Sequence, residues 1–123
     1  MPEMPDRILI VEDEDTLCES LQRVFRRDGY EADIADSAET AFRLLEHNTY
    51  DLILTDVILP GISGIELIAR YKEQNPDQKV IIMTAYASLQ TAVEALRVGA
   101  VDFIVKPIMH DELKRMVKKA LGR

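Results

Sequence analysis

Four short aliphatic runs constrain this chain more than any other feature: Ile8-Leu9-Ile10-Val11, Leu52-Ile53-Leu54, Val80-Ile81-Ile82-Met83 and Phe103-Ile104-Val105. None alternates apolar with polar residues. Runs of this length, mostly aliphatic and bounded by polar residues, suit strands of a parallel sheet covered on both faces. Glu31-Ala32-Asp33-Ile34-Ala35 does alternate, and it reads as a half-exposed strand at a sheet edge.

Helical spacing fills the intervals. Leu17, Leu21, Val24 and Phe25 share one face, and Gly29 stops that helix. Ser37 is placed to cap a second helix carrying Ala38, Ala41, Phe42 and Leu45. Ser63-Gly64-Ile65-Glu66 has capping-box spacing and opens a third, closed by Pro76. Ser88 is placed to cap a fourth, ended by Gly99. Leu113, Met116, Val117, Ala120 and Leu121 line the last. Strand and helix thus alternate five times with short connections, which calls for right-handed crossovers and a three-layer α/β domain. It is expected to fill residues 1–123, with its core at about 7–121, and no repeat or linker interrupts it.

The 123 residues suffice for one core, and no apolar run approaches the ~20 residues of a membrane span. Met1-Pro2-Glu3-Met4-Pro5-Asp6-Arg7 lacks the basic start and apolar stretch of a signal peptide. The single cysteine, Cys18, has no partner for an internal disulfide, so a cytoplasmic address is expected. A net charge of −7 argues against direct binding of nucleic acid by this domain. The basic residues near the C-terminus (Lys114, Arg115, Lys118, Lys119 and Arg123) read as the solvated face of a last helix, rather than as a DNA contact.

In open parallel sheets the functional site lies beyond the carboxyl ends of the strands. Glu12, Asp13, Glu14 and Asp15 follow the first of the five expected strands, Thr55 and Asp56 the third, Thr84 the fourth and Lys106 the fifth. Each alone is more often a cap or a solvated loop residue. Together they bring acids, a hydroxyl and an ammonium to one edge. Crowded carboxylates repel unless a cation sits among them, and a few hard oxygen ligands completed by water describe a Mg²⁺ site. With Lys106 balancing charge and Thr84 donating a hydrogen bond, these are the parts that phosphoryl transfer needs.

The sequence resembles the receiver domains of two-component response regulators from about Arg7 to Leu121. The resemblance rests on Ile10-Val11-Glu12-Asp13, Leu54-Thr55-Asp56 with Leu59-Pro60-Gly61, Thr84-Ala85 and Val105-Lys106-Pro107. It implies a doubly wound flavodoxin-like sheet of order 2-1-3-4-5. It also implies Asp56 as the phosphoacceptor, with Thr84 and Lys106 contacting the phosphoryl group. Mg²⁺, for which Mn²⁺ would substitute, is then held by Asp13, Asp56 and the Ile58 backbone carbonyl, and by Glu12 through water. Phe103 matches the aromatic that packs inward when Thr84 is drawn to the phosphate; an ordinary core aromatic is the other reading. The Lys106-Pro107 peptide is expected to be cis. Glu12 departs from the commoner aspartate. Ile58 and Tyr86 are placed to flank the path of a hydrolytic water, slowing loss of the phosphoryl group unless their side chains point outward. Glu14 and Asp15 read as loop acids or a helix cap, and His47 and His110 as surface residues.

The resemblance implies no enzyme acting on an outside substrate, only self-phosphorylation and dephosphorylation, with a sensor histidine kinase as partner. A haloacid-dehalogenase-like phosphatase would need its nucleophile on the first strand and a second acid two residues on, where this chain has Ile58 after Asp56. A flavin carrier would need a phosphate-cradling loop in place of the acids after the first strand. An interaction module that has lost its chemistry would not need the full set of Asp56, Thr84 and Lys106. The segments around Met83-Thr84-Ala85-Tyr86 and Gly99-Ala100-Val101-Asp102-Phe103 look most like receivers of NtrC-type activators, in which ATPase and DNA-binding modules follow. Neither module lies within these residues, so an excised domain and a free-standing relay receiver both stay open. A phosphorylation-dependent homodimer, or a partner contact, is expected on the face of the fourth helix, fifth strand and fifth helix.

Overall fold

The computed structural model describes residues 4–123; residues 1–3 of the N-terminal stretch read above lie outside the described residues. Its elements are β1 (Arg7–Val11), α1 (Asp15–Arg27), β2 (Glu31–Ala35), α2 (Ala38–His47), β3 (Leu52–Asp56), α3 (Gly64–Gln74), β4 (Val80–Thr84), α4 (Leu89–Arg97), β5 (Asp102–Val105) and α5 (His110–Ala120). Every strand pairing is parallel and the sheet order is β2-β1-β3-β4-β5. β2 lies at one edge, as its alternation predicts.

The aliphatic runs are continuous because both sheet faces are covered. Ile8, Ile10, Leu52, Leu54, Ile81 and Met83 meet Leu21 and Phe25 of α1 and Leu113 and Val117 of α5. Leu9, Val11, Ile53, Val80 and Ile82 face the other way, against Ala38 and Ala41 of α2, Leu67 and Ile68 of α3, and Ala95 of α4. Each fully buried Leu or Ile contributes about 1.5–3 kcal/mol, so this division of side chains between two faces holds the strand ends in register. One run departs from expectation. β5 closes the sheet's other edge, so Phe103 is half-buried and Val105 exposed rather than both being enclosed.

Ser37, Ser63 and Ser88 cap α2, α3 and α4, their hydroxyls accepting the backbone N–H of Thr40, Glu66 and Thr91. Only half of the capping box at α3 is used, because the Glu66 carboxylate pairs with Arg70 at 2.9 Å. Glu14 occupies the N-cap of α1 without a side-chain bond. The basic residues Arg115, Lys118 and Lys119 line the exposed side of α5, as expected of a solvated face.

Candidate functional site

The parallel order carries the ends of β1, β3, β4 and β5 to one edge of the sheet. Among the described residues, the buried polar or charged side chains are Glu12, Thr55, Asp56 and Thr84, all at this edge. Burying polar groups is costly unless each finds a partner, and these do. Lys106 Nζ lies 2.5 Å from Asp56 Oδ2 and 2.5 Å from Glu12 Oε1. The other Asp56 oxygen accepts the Ile58 N–H at 3.1 Å, and the other Glu12 oxygen accepts the Glu14 N–H at 3.0 Å. All four carboxylate oxygens are therefore matched to one donor each. Lys106 is aimed inward by its own backbone, whose N–H donates to Thr84 O at 2.8 Å. The Lys106–Pro107 peptide is cis, as expected.

The electrostatics follow from burial and pairing. Burial raises Glu12 above the usual carboxylate range, more than its bonds from Lys106 and Glu14 lower it, and nearby Asp56 adds to the rise. Burial pulls Lys106 the opposite way, but its bonds to Asp56 and Glu12 and their charges leave the ammonium above its ordinary value. Thr84 is buried, and its Oγ1 accepts the Tyr86 N–H at 3.0 Å. Phe103 packs partly against the core beside a cavity of about 280 Å³ lined by Ala92, Ala95, Leu96, Ala100 and Val101.

The structure brings together Glu12, Asp56 and Lys106, with Thr84 at the next strand end. Asp13 is exposed beside them, and Ile58 and Tyr86 are both largely exposed. Among the described residues, no three acidic, histidine or cysteine side chains converge on one point. Mg²⁺ does not ask for such a cage, since it keeps several waters and takes one or two carboxylates. Three acids against one ammonium leave negative charge that a hard divalent cation balances, so the donor set fits. His47 and His110 are exposed, as expected.

Two contacts escape sequence reasoning, although Thr55 itself stands among the residues that close the third strand. Thr55 Oγ1 donates to Asp56 O at 3.0 Å, and Cys18 Sγ donates to Glu12 O at 3.0 Å. The signal for Thr55 is a hydroxyl that closes an aliphatic strand and needs a partner. Nothing local marks Cys18, which appears only as one more apolar position of α1. Burial, with the charges of Glu12, Asp15 and Asp13, pushes its thiol up to about 12.

An acid closing the third strand, bridged by a lysine just past the fifth to an acid just past the first, is the arrangement of a phosphorylation-controlled signalling domain. Residues 8–118 match the response regulator receiver domain, and the chain belongs to that family. It is thus a two-component receiver domain and not a haloacid-dehalogenase-like phosphatase. The transcriptional regulatory protein ZraR of Escherichia coli is 40% identical over 115 residues, 94% of this chain and 26% of ZraR. The chain spans about a quarter of the length of such curated relatives. A CheY-like receiver domain protein from Methanospirillum hungatei superposes with a TM-score of 0.93 at 34% identity, covering 97% of this chain and 95% of that one. TrrA of Thermotoga maritima, solved in complex with Mg²⁺-BeF, does so with a TM-score of 0.85 at 36% identity, covering 94% and 99%. No helix among the described residues is long and apolar enough to cross a membrane.

Proposed function

We propose that Asp56 accepts a phosphoryl group from a phosphohistidine of a sensor kinase, and that the acyl phosphate switches the face formed by α4, β5 and α5. The observation that carries this reading is the Lys106 ammonium held 2.5 Å from both Asp56 and Glu12. An Asp56 carboxylate oxygen attacks phosphorus, the P–N bond breaks, and its electron pair stays on the imidazole nitrogen. Lys106 then pairs with the transferred group instead of the carboxylate, and the Thr84 hydroxyl donates to a phosphoryl oxygen. In dephosphorylation, water attacks phosphorus and the bond to Asp56 breaks, which leaves the carboxylate and inorganic phosphate and releases a proton to solvent. The domain acts on no other substrate.

Asp13, Asp56 and the Ile58 carbonyl would hold Mg²⁺ directly, and Glu12 through water. Bound there, Mg²⁺ or Mn²⁺ supplies positive charge opposite the phosphoryl oxygens. Ile58 and Tyr86 are largely exposed, so a role of their bulk in slowing hydrolysis requires that they turn toward Asp56 once it is phosphorylated.

The switch reading rests on Thr84. Its hydroxyl now accepts from Tyr86 N–H in the β4–α4 connection, and drawing it to a phosphate gives the two states different contacts. Phe103 then fills the vacated space. Leu89, Leu96, Val101, Val105 and Met109 are exposed on the adjoining face, which suits a homodimer or a partner. The output is transcriptional control through ATPase and DNA-binding modules, in a cytoplasmic protein of which residues 1–123 form the receiver; ZraR, a transcriptional regulator, supports this. Treatment with acetyl phosphate and Mg²⁺ is expected to add one phosphoryl group, read by mass spectrometry, and none to Asp56→Asn. A stable adduct on another residue of the wild type overturns the assignment.

A further inference from the structure

We propose that Gly64 is a positioning residue for the phosphoacceptor: its missing side chain lets the first turn of α3 close onto the Asp56 peptide. That closure fixes the connection of residues 57–63, which carries Ile58. The inference deepens the reading of Asp56 given above and rests on it.

Gly64 is the first residue of α3 and is buried, and its N–H donates to Val57 O at 2.8 Å. A Cβ built on Gly64 would lie 1.9 Å from Asp56 O, 2.8 Å from Thr55 Oγ1 and 2.9 Å from Asp56 C. The nearest atom, Asp56 O, belongs to the backbone, so no side-chain rotation relieves that overlap. Any larger residue must push the α3 terminus and the phosphoacceptor's peptide apart by more than an ångström. Conformation is not the reason for glycine, because Gly64 is absent from the positive-φ glycines. Gly61, in the same connection, is the converse case, with φ of 79° and nothing within 4 Å of its built Cβ.

The consequence for chemistry runs through Ile58. Its N–H holds Asp56 Oδ1 at 3.1 Å, and its carbonyl is among the expected metal ligands. The segment bearing both groups is closed at its far end by Gly64 against Asp56 itself. A hydrogen bond stretched by an ångström is lost, and misplacing a reacting group by that distance costs up to about a hundredfold in rate.

The test compares Gly64→Ala with Gly61→Ala in the 123-residue protein at a temperature where circular dichroism shows both folded. Phosphorylation by acetyl phosphate is measured against Mg²⁺ concentration, and the Ile58 amide is followed by NMR before and during Mg²⁺ titration. Gly64→Ala is expected to shift the metal-free Ile58 amide and to lower the rate at saturating Mg²⁺ roughly tenfold to a hundredfold. Gly61→Ala is expected to stay within about twofold, since its cost is backbone strain spread over folding. A folded Gly64→Ala protein with wild-type rate and Ile58 shift overturns the proposal, as does an equal loss in Gly61→Ala. If Gly64→Ala does not fold, one glycine inserted after Gly61 decides. It lengthens the connection without touching Gly64, and a wild-type rate in that variant overturns the proposal, whereas a tenfold loss supports it. Failure of the wild type to be phosphorylated at Asp56 is a separate outcome that removes the functional reading and this inference with it.

Discussion

Replacing Lys106 by alanine leaves Glu12 and Asp56, 1% and 6% exposed, facing one another without the cation that bridges them. Breaking a buried ion pair by deleting one partner costs about 3–5 kcal/mol, because the surviving charge stays desolvated. The Lys106 side chain is itself 17% exposed, so water reaches part of the gap, and the lower end, about 3 kcal/mol, is expected. The pH dependence has a definite sign. Burial already holds Glu12 above its ordinary value of 4.5, and the Lys106 hydrogen bond opposes that rise. Deleting the lysine lets it rise further, so the folded variant keeps a proton that the unfolded chain has released. Stability from such a group is fully present below the unfolded value and is lost as pH rises through the folded one. Lys106→Ala should therefore show a smaller deficit near pH 4.5 than at pH 8. Adding Asp56→Asn removes one of the two facing charges and should recover about 1–2 kcal/mol as a coupling energy. Urea unfolding followed by circular dichroism, with chelator present to exclude metal, measures all four proteins. A deficit below 1 kcal/mol, or one of equal size at both pH values, would refute the reasoning that Lys106 stabilises two buried carboxylates.

Three further outcomes are expected. Asp13→Asn should weaken Mg²⁺ binding by about tenfold or more and slow phosphorylation, while relief of carboxylate repulsion keeps or raises the melting temperature; wild-type Mg²⁺ dependence would remove Asp13 from the ligand set. Thr84→Ala should cost about 1 kcal/mol for the lost bond to Tyr86 and should blunt the NMR shifts that beryllofluoride produces from Thr84 to Val105. An undiminished response would sink the switch proposal. Cys18, with its thiol pushed up to about 12 from 9.0, should resist iodoacetamide at pH 8.5 until the protein is unfolded, and its contribution to stability should fade as pH climbs from 9 towards 12. Rapid labelling of the native protein would contradict that burial.

Much of this domain is legible in its sequence, because the relevant signals are local. An aliphatic run without alternation reports a strand covered on both faces, and a serine ahead of a 3.6-residue periodicity reports a capped helix. Ser37, Ser63 and Ser88 sit where those rules put them. The residue types of the site are equally legible, since acids, a threonine and a lysine that directly follow aliphatic strands must share one edge of a parallel sheet. The strand order came only through family resemblance, because a strand's own residues do not say which strand lies beside it. Placement at the sheet edge is why Phe103 and Val105 are less enclosed than their run suggests. The pairing of Lys106 with both Glu12 and Asp56, across 94 and 50 residues of chain, likewise appears only when twist and register set the strand ends side by side. The same holds for Gly64, which in sequence is a spacer within a capping box. Only the closing of α3 onto β3 shows that a single methyl group there would meet the backbone of the phosphoacceptor. Periodicity encodes how a segment folds upon itself and which side it buries; contact between segments depends on packing distances that no local pattern carries.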